Sequence, residues 1–435
     1  MHSSTKENGH VKTESPLLKY KYGKQYKILI FSAFLYYVAG IAAKLPYTAQ
    51  MVEMIDHFGT TRSSVALGLT VYYFAYGIGQ FFTSAIMDKV NIKRFLVITT
   101  VLTAVLYVLI GLTNELWQVW LFFGINGVLQ AVSWGGINHF IGKLIPNDCI
   151  SSANRLIYGG FAIANTIAYG FAGFFVAFLS WKVTFVFFGV LLLPALIYYM
   201  IQIKKTEKCI ANGDEIVVPV IENTKDHHEF VVPKEPKVKF GAILFFCFVS
   251  TFIVNGLGHA INSWIPNMLS EIHQFPNSLS IVLTLVLPIV AFPSSFVLYG
   301  YHDRHGNIFL SGIVIGAIVL LTVLGFVFGY ASNFIIAMLL CLLFRFFQSC
   351  YYIVYGNNTL MKLKNYISPA KSSLIVNGIG SLSTGLMPFI SGALLDNFGW
   401  TNFFLAMLCL AGFCFIFSIV GYIVVRKDRE LSKWF

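Results

Sequence analysis

Two cationic side chains sit inside sequence that is otherwise apolar: Lys44 and Arg345. An ionised group at the centre of a bilayer costs about 2.5–3.5 kcal/mol on insertion scales, so the pair would cost roughly 5–7 kcal/mol facing lipid. Both are therefore expected to face a watery cavity or a partner. No Asp or Glu falls deep in any apolar run: Glu53, Asp56, Asp88, Asp303 and Asp396 all lie near run ends. Two fixed cations without a carboxylate attract an anion. Arg grips a carboxylate or phosphate with paired hydrogen bonds, whereas Lys acts as a point charge. The competing readings are a Lys44 that snorkels to Glu53 or Asp56, and a purely structural Arg345.

Helical spacing puts other polar residues on common faces. Asn255, His259 and Asn262 follow i, i+4, i+7, and Arg345, Gln348 and Tyr352 follow i, i+3, i+7. Tyr37, Lys44 and Tyr47 share a side, as do Tyr73, Tyr76 and Gln80; Gln130, Trp134 and Asn138, with His139 adjacent; and Asn377, Ser381 and Thr384. Together these stripes imply a wet cavity, although any one alone is as readily an interhelical hydrogen bond. The aromatics Tyr73, Tyr76, Trp134, Trp264, Tyr351 and Tyr352 can stack on a sugar or simply pack. His259 and His139 can carry protons or serve as ordinary hydrogen-bond partners; His259 is better placed, between Asn255 and Asn262. No Gly-rich phosphate loop, HExxH, CxxC or nucleophile elbow occurs, and the seven Cys lack metal-site spacing. An enzyme or a cofactor has no support.

The elements that position these residues follow from composition. The chain is 57% hydrophobic and 11% charged, with mean hydropathy +0.73, against roughly 25% charged residues in soluble domains. A spanning helix needs about 20 apolar residues. The expected spans are 28–54, 63–87, 95–113, 117–141, 154–178, 183–202, 239–268, 279–300, 307–329, 333–360, 372–395 and 401–424. The fold class is thus an all-α membrane protein with twelve transmembrane helices. If both termini are cytoplasmic, 26 of the 30 Lys and Arg lie in cytoplasmic segments, and only Arg62 and Lys182 lie in outward loops, as the positive-inside rule requires. The net charge of +11 then reflects topology and contact with anionic headgroups of the lipid bilayer, not nucleic acid. The first apolar run is too long for a signal peptide. A plasma or bacterial inner membrane is expected, with an intracellular organelle left open by Glu14 and Leu17-Leu18.

The chain divides into a cytoplasmic tail (1–27), a six-helix half (28–202), a charged cytoplasmic loop (203–238), a second six-helix half (239–424) and a C-terminal tail (425–435). The halves look duplicated. Asp88-Lys89 and Asp303-Arg304 follow the second and eighth spans, and Trp181 with Phe185 and Trp400 with Phe404 open the sixth and twelfth. Two such pseudo-symmetric halves with a site between them at the membrane midplane is a transporter design.

The stretch Asp88-Lys89-Val90-Asn91-Ile92-Lys93-Arg94, with Asp303-Arg304-His305-Gly306 as its second copy, resembles the cytoplasmic signature of the major facilitator superfamily. That resemblance implies the major facilitator fold and a gating role for Asp88, Lys89, Arg94, Asp303 and Arg304, which would latch the halves together on the cytoplasmic side. Asn91 stands where the family has Gly, and Asn also tolerates left-handed conformations. Further stretches resemble the organophosphate:phosphate antiporters: Tyr36-Tyr37-Val38 with Lys44-Leu45-Pro46-Tyr47, Ala75-Tyr76-Gly77-Ile78-Gly79-Gln80-Phe81, Gly127-Val128-Leu129-Gln130 with Trp134, and Asn262-Ser263-Trp264-Ile265-Pro266. That family binds phosphate between two arginines, which align here with Val38 or Ala39 and with Gly258 or His259. Its helix-2 lysine aligns with Gln80 and its helix-5 histidine with Ala164. The phosphate site is not carried over, and Lys44 and Arg345 can rebuild an anion site elsewhere.

Three functions follow as expectations. The first is a carrier of a small organic anion, carboxylate or phosphate ester, working by alternating access. Lys44 and Arg345 would hold the anionic group, and His259, Asn262 and the tyrosines would shape selectivity. The second is a proton-coupled carrier of a neutral or amphipathic solute such as a sugar. The third is a non-transporting sensor or subunit that docks a protein partner through 203–238.

Overall fold

The computed structural model describes residues 23–86, 89–212, 237–291, 293–294, 308–329, 333–357 and 369–427. Helix dominates because hydrocarbon offers no water to bond exposed amides, so each spanning segment satisfies its own backbone. Among the described residues, each of the twelve expected spans has its helix: α1 (Gly23–Lys44), α2 (Arg62–Ile86), α3 (Ile92–Leu112), α4 (Leu116–Leu144), α5 (Asn147–Phe178), α6 (Trp181–Ala211), α7 (Lys237–His273), α8 (Asn277–Ala291), α9 (Ile308–Gly329), α10 (Phe334–Tyr352), α11 (369–398) and α12 (400–427). The last two form one run, Pro369–Lys427, split at Gly399, whose φ of 70° and ψ of −176° are open to glycine and costly for other residues.

Several boundaries differ from the sequence expectation. The first span stops at Lys44, because Pro46 has no amide hydrogen to continue the ladder. Two short helices, Pro46–Ala49 and Met51–Phe58, carry the chain on to Gly59, which caps the second in the left-handed conformation at φ 58°. Helix α6 continues to Ala211, so residues 203–211 are helix and not loop. Helix α8 is interrupted at Leu285, and α10 passes into a π-turn over Ile353–Asn357. Asn91 is extended, at φ −72°, and its side chain caps α3 by accepting a hydrogen bond from the Arg94 amide at 3.2 Å. Where the resemblance suggested a left-handed residue, this chain has an N-cap. Most of the expected loop 203–238 and both terminal tails lie outside the described residues.

Small residues set the helix crossings, as lipid gives no hydrophobic drive between helices. A Cβ on Gly127 of α4 would stand 2.3 Å from the Tyr72 carbonyl oxygen and 3.1 Å from the Tyr76 amide nitrogen of α2. That contact is with backbone and cannot relax by a rotamer change. Gly127→Ala is therefore expected to cost about 1–3 kcal/mol and to lower the unfolding temperature in detergent. Gly77→Ala, whose Cβ meets nothing within 4 Å, should leave that temperature unchanged or raise it.

Contacts between the two halves run along α2–α11 and α5–α8. Thr70 Oγ1 donates to the Gly385 carbonyl at 2.8 Å, and a Cβ on Gly385 would lie 3.3 Å from the Thr70 Cα. A Cβ on Gly173 of α5 would lie 3.0 Å from the Ser278 carbonyl of α8. These close approaches lie toward the end of the bundle that carries Arg62 and Asp396, called here the Arg62 end. The opposite end carries Lys93.

Candidate functional site

The proline break places Lys44 on the last turn of α1 with its side chain turned inward. Its Nζ lies 5.3 Å from the ring centroid of Tyr76 and 5.9 Å from that of Tyr73, both on α2. The negative faces of the rings favour the ammonium group. Glu53 and Asp56 are occupied elsewhere: each accepts from Asn277 Nδ2 of α8, at 3.0 and 2.7 Å. The snorkelling reading of Lys44 is thereby overturned, and among the described residues Lys44 forms no ion pair.

Lys44 opens onto a cavity of about 190 Å³. Its walls are Tyr36, Tyr37, Gly40 and Ile41 of α1, Tyr76 and Gln80 of α2, Thr100 and Thr103 of α3, Gln130, Ser133, Trp134 and Ile137 of α4, Phe161 of α5, Leu192 of α6, and Asn377 and Ser381 of α11. No carboxylate and no histidine lies among these lining residues. Eight of the residues singled out from sequence thus come together: Tyr37, Lys44, Tyr76, Gln80, Gln130, Trp134, Asn377 and Ser381. Tyr73 lies beneath Lys44 without lining the cavity. The Tyr37 and Trp134 rings form an aromatic wall, centroids 5.4 Å apart. Behind it, Gln130 is fixed by accepting from Tyr72 Oη at 2.7 Å and donating to Tyr107 Oη at 2.9 Å. Asn138 turns back on its own helix, donating to the Trp134 carbonyl at 3.0 Å.

The second half contributes a different kind of wall. Arg345 Nη1 donates to Gln348 Oε1 at 3.1 Å, and Gln348 Nε2 donates to the Val254 carbonyl of α7 at 3.1 Å. Gln348 therefore joins α10 to α7 and steadies the guanidinium. Both side-chain atoms of Asn262 are buried without a hydrogen-bond partner. Asn255 is tied to α11, donating to the Gly380 carbonyl at 2.8 Å and to Thr384 Oγ1 at 3.1 Å. Tyr352 Oη approaches Gly380. Arg345, Gln348, His259, Asn262 and Tyr352 are not among the residues lining the cavity.

Sequence reasoning missed two features. Tyr36 lines the cavity, sharing a hydrogen bond with Thr100 Oγ1 at 2.6 Å and donating to Ser133 Oγ at 3.1 Å. The spacing 36, 40, 44 puts Tyr36 on the face of Lys44, but Gly40 in the middle hides the stripe. The second is a latch at the Arg62 end. Asp396 of α11 accepts from the Arg62 and Ser63 amides at 3.1 and 2.9 Å, from Ser63 Oγ at 2.8 Å and from Arg62 Nη1 at 3.2 Å. Arg62 Nη2 also reaches Glu271 of α7 at 2.5 Å, and Glu271 accepts from Trp400 Nε1 at 3.0 Å. Of the expected gating residues, Asp88, Asp303 and Arg304 lie outside the described residues, and Lys89 and Arg94 are exposed. Their neighbour Lys93 pairs with Glu207 of α6, within its own half.

Comparison with known proteins settles the family. The sequence profile described as Major Facilitator Superfamily matches residues 29–365. The chain belongs to the Major Facilitator Superfamily. Within the superfamily it is 30% identical over 127 residues to a probable hexose phosphate transport protein of Chlamydia trachomatis serovar D, covering 29% of this chain and 28% of that protein. Sugar phosphate exchanger 3 of Mus musculus is 23% identical over 424 residues, 84% of this chain and 81% of that one. A bacterial homolog of the human lysosomal transporter Spinster, solved inward-facing and unoccupied, superposes with a TM-score of 0.72 at 14% identity, covering 93% of this chain and 98% of that one. That likeness establishes the major facilitator fold.

Proposed function

We propose that this superfamily member is a multi-pass membrane carrier that exchanges a small phosphate ester by alternating access, with both termini cytoplasmic, in a plasma or bacterial inner membrane. The observation that carries this reading is Lys44, a cation on the cavity wall with no ion pair among the described residues and no carboxylate among the cavity's other lining residues. An anionic solute supplies the missing counter-charge. Arg345 stands across the half interface to take the same group when the halves close around it. The similarity to proteins named for hexose phosphate transport and sugar phosphate exchange favours phosphate ester over carboxylate. At about 190 Å³ the cavity is below the roughly 300–1,000 Å³ that holds drug-sized ligands, so a small solute fits. The cavity lining holds neither carboxylate nor histidine, which favours the anion reading over a proton-coupled carrier of a neutral solute.

The test is thermal unfolding of the full chain in detergent against glucose 6-phosphate, inorganic phosphate, citrate and glucose. A ligand at 100 times its dissociation constant stabilises by about 2.7 kcal/mol. A shift with the phosphates alone is the expected result. A shift with glucose and with neither phosphate overturns the reading.

A further inference from the structure

Gly258 of α7 stands where any side chain would collide with the tether of Arg345. A Cβ on Gly258 would lie 2.2 Å from Gln348 Nε2, 2.4 Å from its Cδ and 2.8 Å from its Oε1, all far inside van der Waals contact. Helix geometry is the reason. Gln348 Nε2 donates to the Val254 carbonyl at 3.1 Å, and the partner of that carbonyl along α7 is the Gly258 amide. A side chain at 258 therefore starts beside the bond that Gln348 makes. Gln348 is 3% exposed, and its Oε1 accepts from Arg345 Nη1 at 3.1 Å. The amide is held at both ends, in room that Gly258 provides.

The atoms that would be hit set this glycine apart from Gly127. At Gly127 the close neighbours include backbone, whereas at Gly258 all three belong to the end of one flexible side chain. An alanine at 258 is accommodated by swinging the Gln348 amide away, so the fold survives and the two hydrogen bonds do not. Arg345 is then released: among the described residues its guanidinium has no other hydrogen bond and no ion pair. Its remaining N–H donors are available to an anion. A long side chain that must be ordered on meeting a ligand binds more weakly than one already in place.

We propose that Gly258 is a positioning residue: by carrying no side chain it keeps the place from which Gln348 holds the Arg345 guanidinium ready for an anion, given the anion-carrier reading above, on which this rests. Gly258 acts through Gln348 and Arg345, not by contact with the solute.

The experiment measures apparent dissociation constants for glucose 6-phosphate from unfolding midpoints of the purified full chain in detergent. Gly258→Ala and Gln348→Ala are each expected to weaken binding about 2- to 12-fold, the ordering cost of one long side chain expressed as affinity. Both break the same tether, so the double variant should bind no worse than the weaker single one. A Gly258→Ala protein that does not fold, or that folds with affinity unchanged, makes the glycine a packing residue and overturns the proposal. Losses that multiply in the double variant overturn it too, since glycine and glutamine would then act separately. The underlying reading fails in a different way: glucose 6-phosphate does not stabilise wild type, or Arg345→Gln binds it as wild type does, and Gly258 then has no anion ligand to position.

Discussion

Lys44→Gln is expected to lower phosphate-ester uptake by roughly 10- to 150-fold while the protein still folds. A hydrogen bond to a charged group contributes about 1.5–3 kcal/mol, and each 1.4 kcal/mol is a factor of ten. The substitution keeps a polar side chain, one atom shorter, and removes the only cation among the cavity's lining residues. Folding should survive because Lys44 forms no ion pair among the described residues and is the last residue of α1. Losing a desolvated charge tends to stabilise. The check is initial uptake into proteoliposomes per reconstituted protein, with helix content measured by circular dichroism on the same samples. Uptake within a factor of two of wild type would remove Lys44 from the binding site and leave its place above Tyr73 and Tyr76 a packing feature.

The second large effect is expected at the latch. Asp396 is a side chain of the second half that caps the first turn of α2 in the first half, bonding both the Arg62 and Ser63 amides. Helix N-termini leave such amides unpaired, and a carboxylate there also meets the positive end of the helix dipole. Asp396→Ala should cost the closed arrangement about 1–2 kcal/mol, and so raise the population open at the Arg62 end roughly 5- to 30-fold. The ion pairs themselves contribute less, because Arg62 and Glu271 are 22% and 37% exposed and screened by water. Opening is read as the alkylation rate of a cysteine placed at Thr70, which faces Gly385 across the closed interface, after replacement of Cys209 and Cys409, the free cysteines that are not buried. An unchanged rate would mean that Gly385 and Gly173 hold the halves together by packing alone.

Much of this molecule was legible in the chain because the bilayer restricts what apolar sequence can do. The spanning helices followed from hydropathy, and the superfamily from the resemblance carried by Asp88–Arg94 and Asp303–Gly306. The eight residues that meet in the cavity were found because helical periodicity puts them on inward faces, and the cost of burying charge marked Lys44. The parts that were not legible depend on relations between distant segments. Asp396 lies 333 residues from Ser63, and nothing local says that an acid at the end of α11 caps α2. Glu53 and Asp56 looked like partners for Lys44 because they are near in sequence, but the break at Pro46 and the capped turn at Gly59 aim them at Asn277 instead. Gln348 read as a binding residue from its stripe with Arg345; the structure commits both of its amide atoms, one to Arg345 and one to the α7 backbone.

Exchange in reconstituted vesicles tests the central claim most directly. Proteoliposomes are loaded with inorganic phosphate, with glucose, or with buffer alone, and uptake of radiolabelled glucose 6-phosphate is followed from outside. Uptake that depends on internal phosphate and is lost in Arg345→Gln is the result expected of a phosphate-ester exchanger. Stabilisation of the protein by glucose 6-phosphate, with no uptake under any loading, would contradict transport and make the chain a binding protein of the membrane.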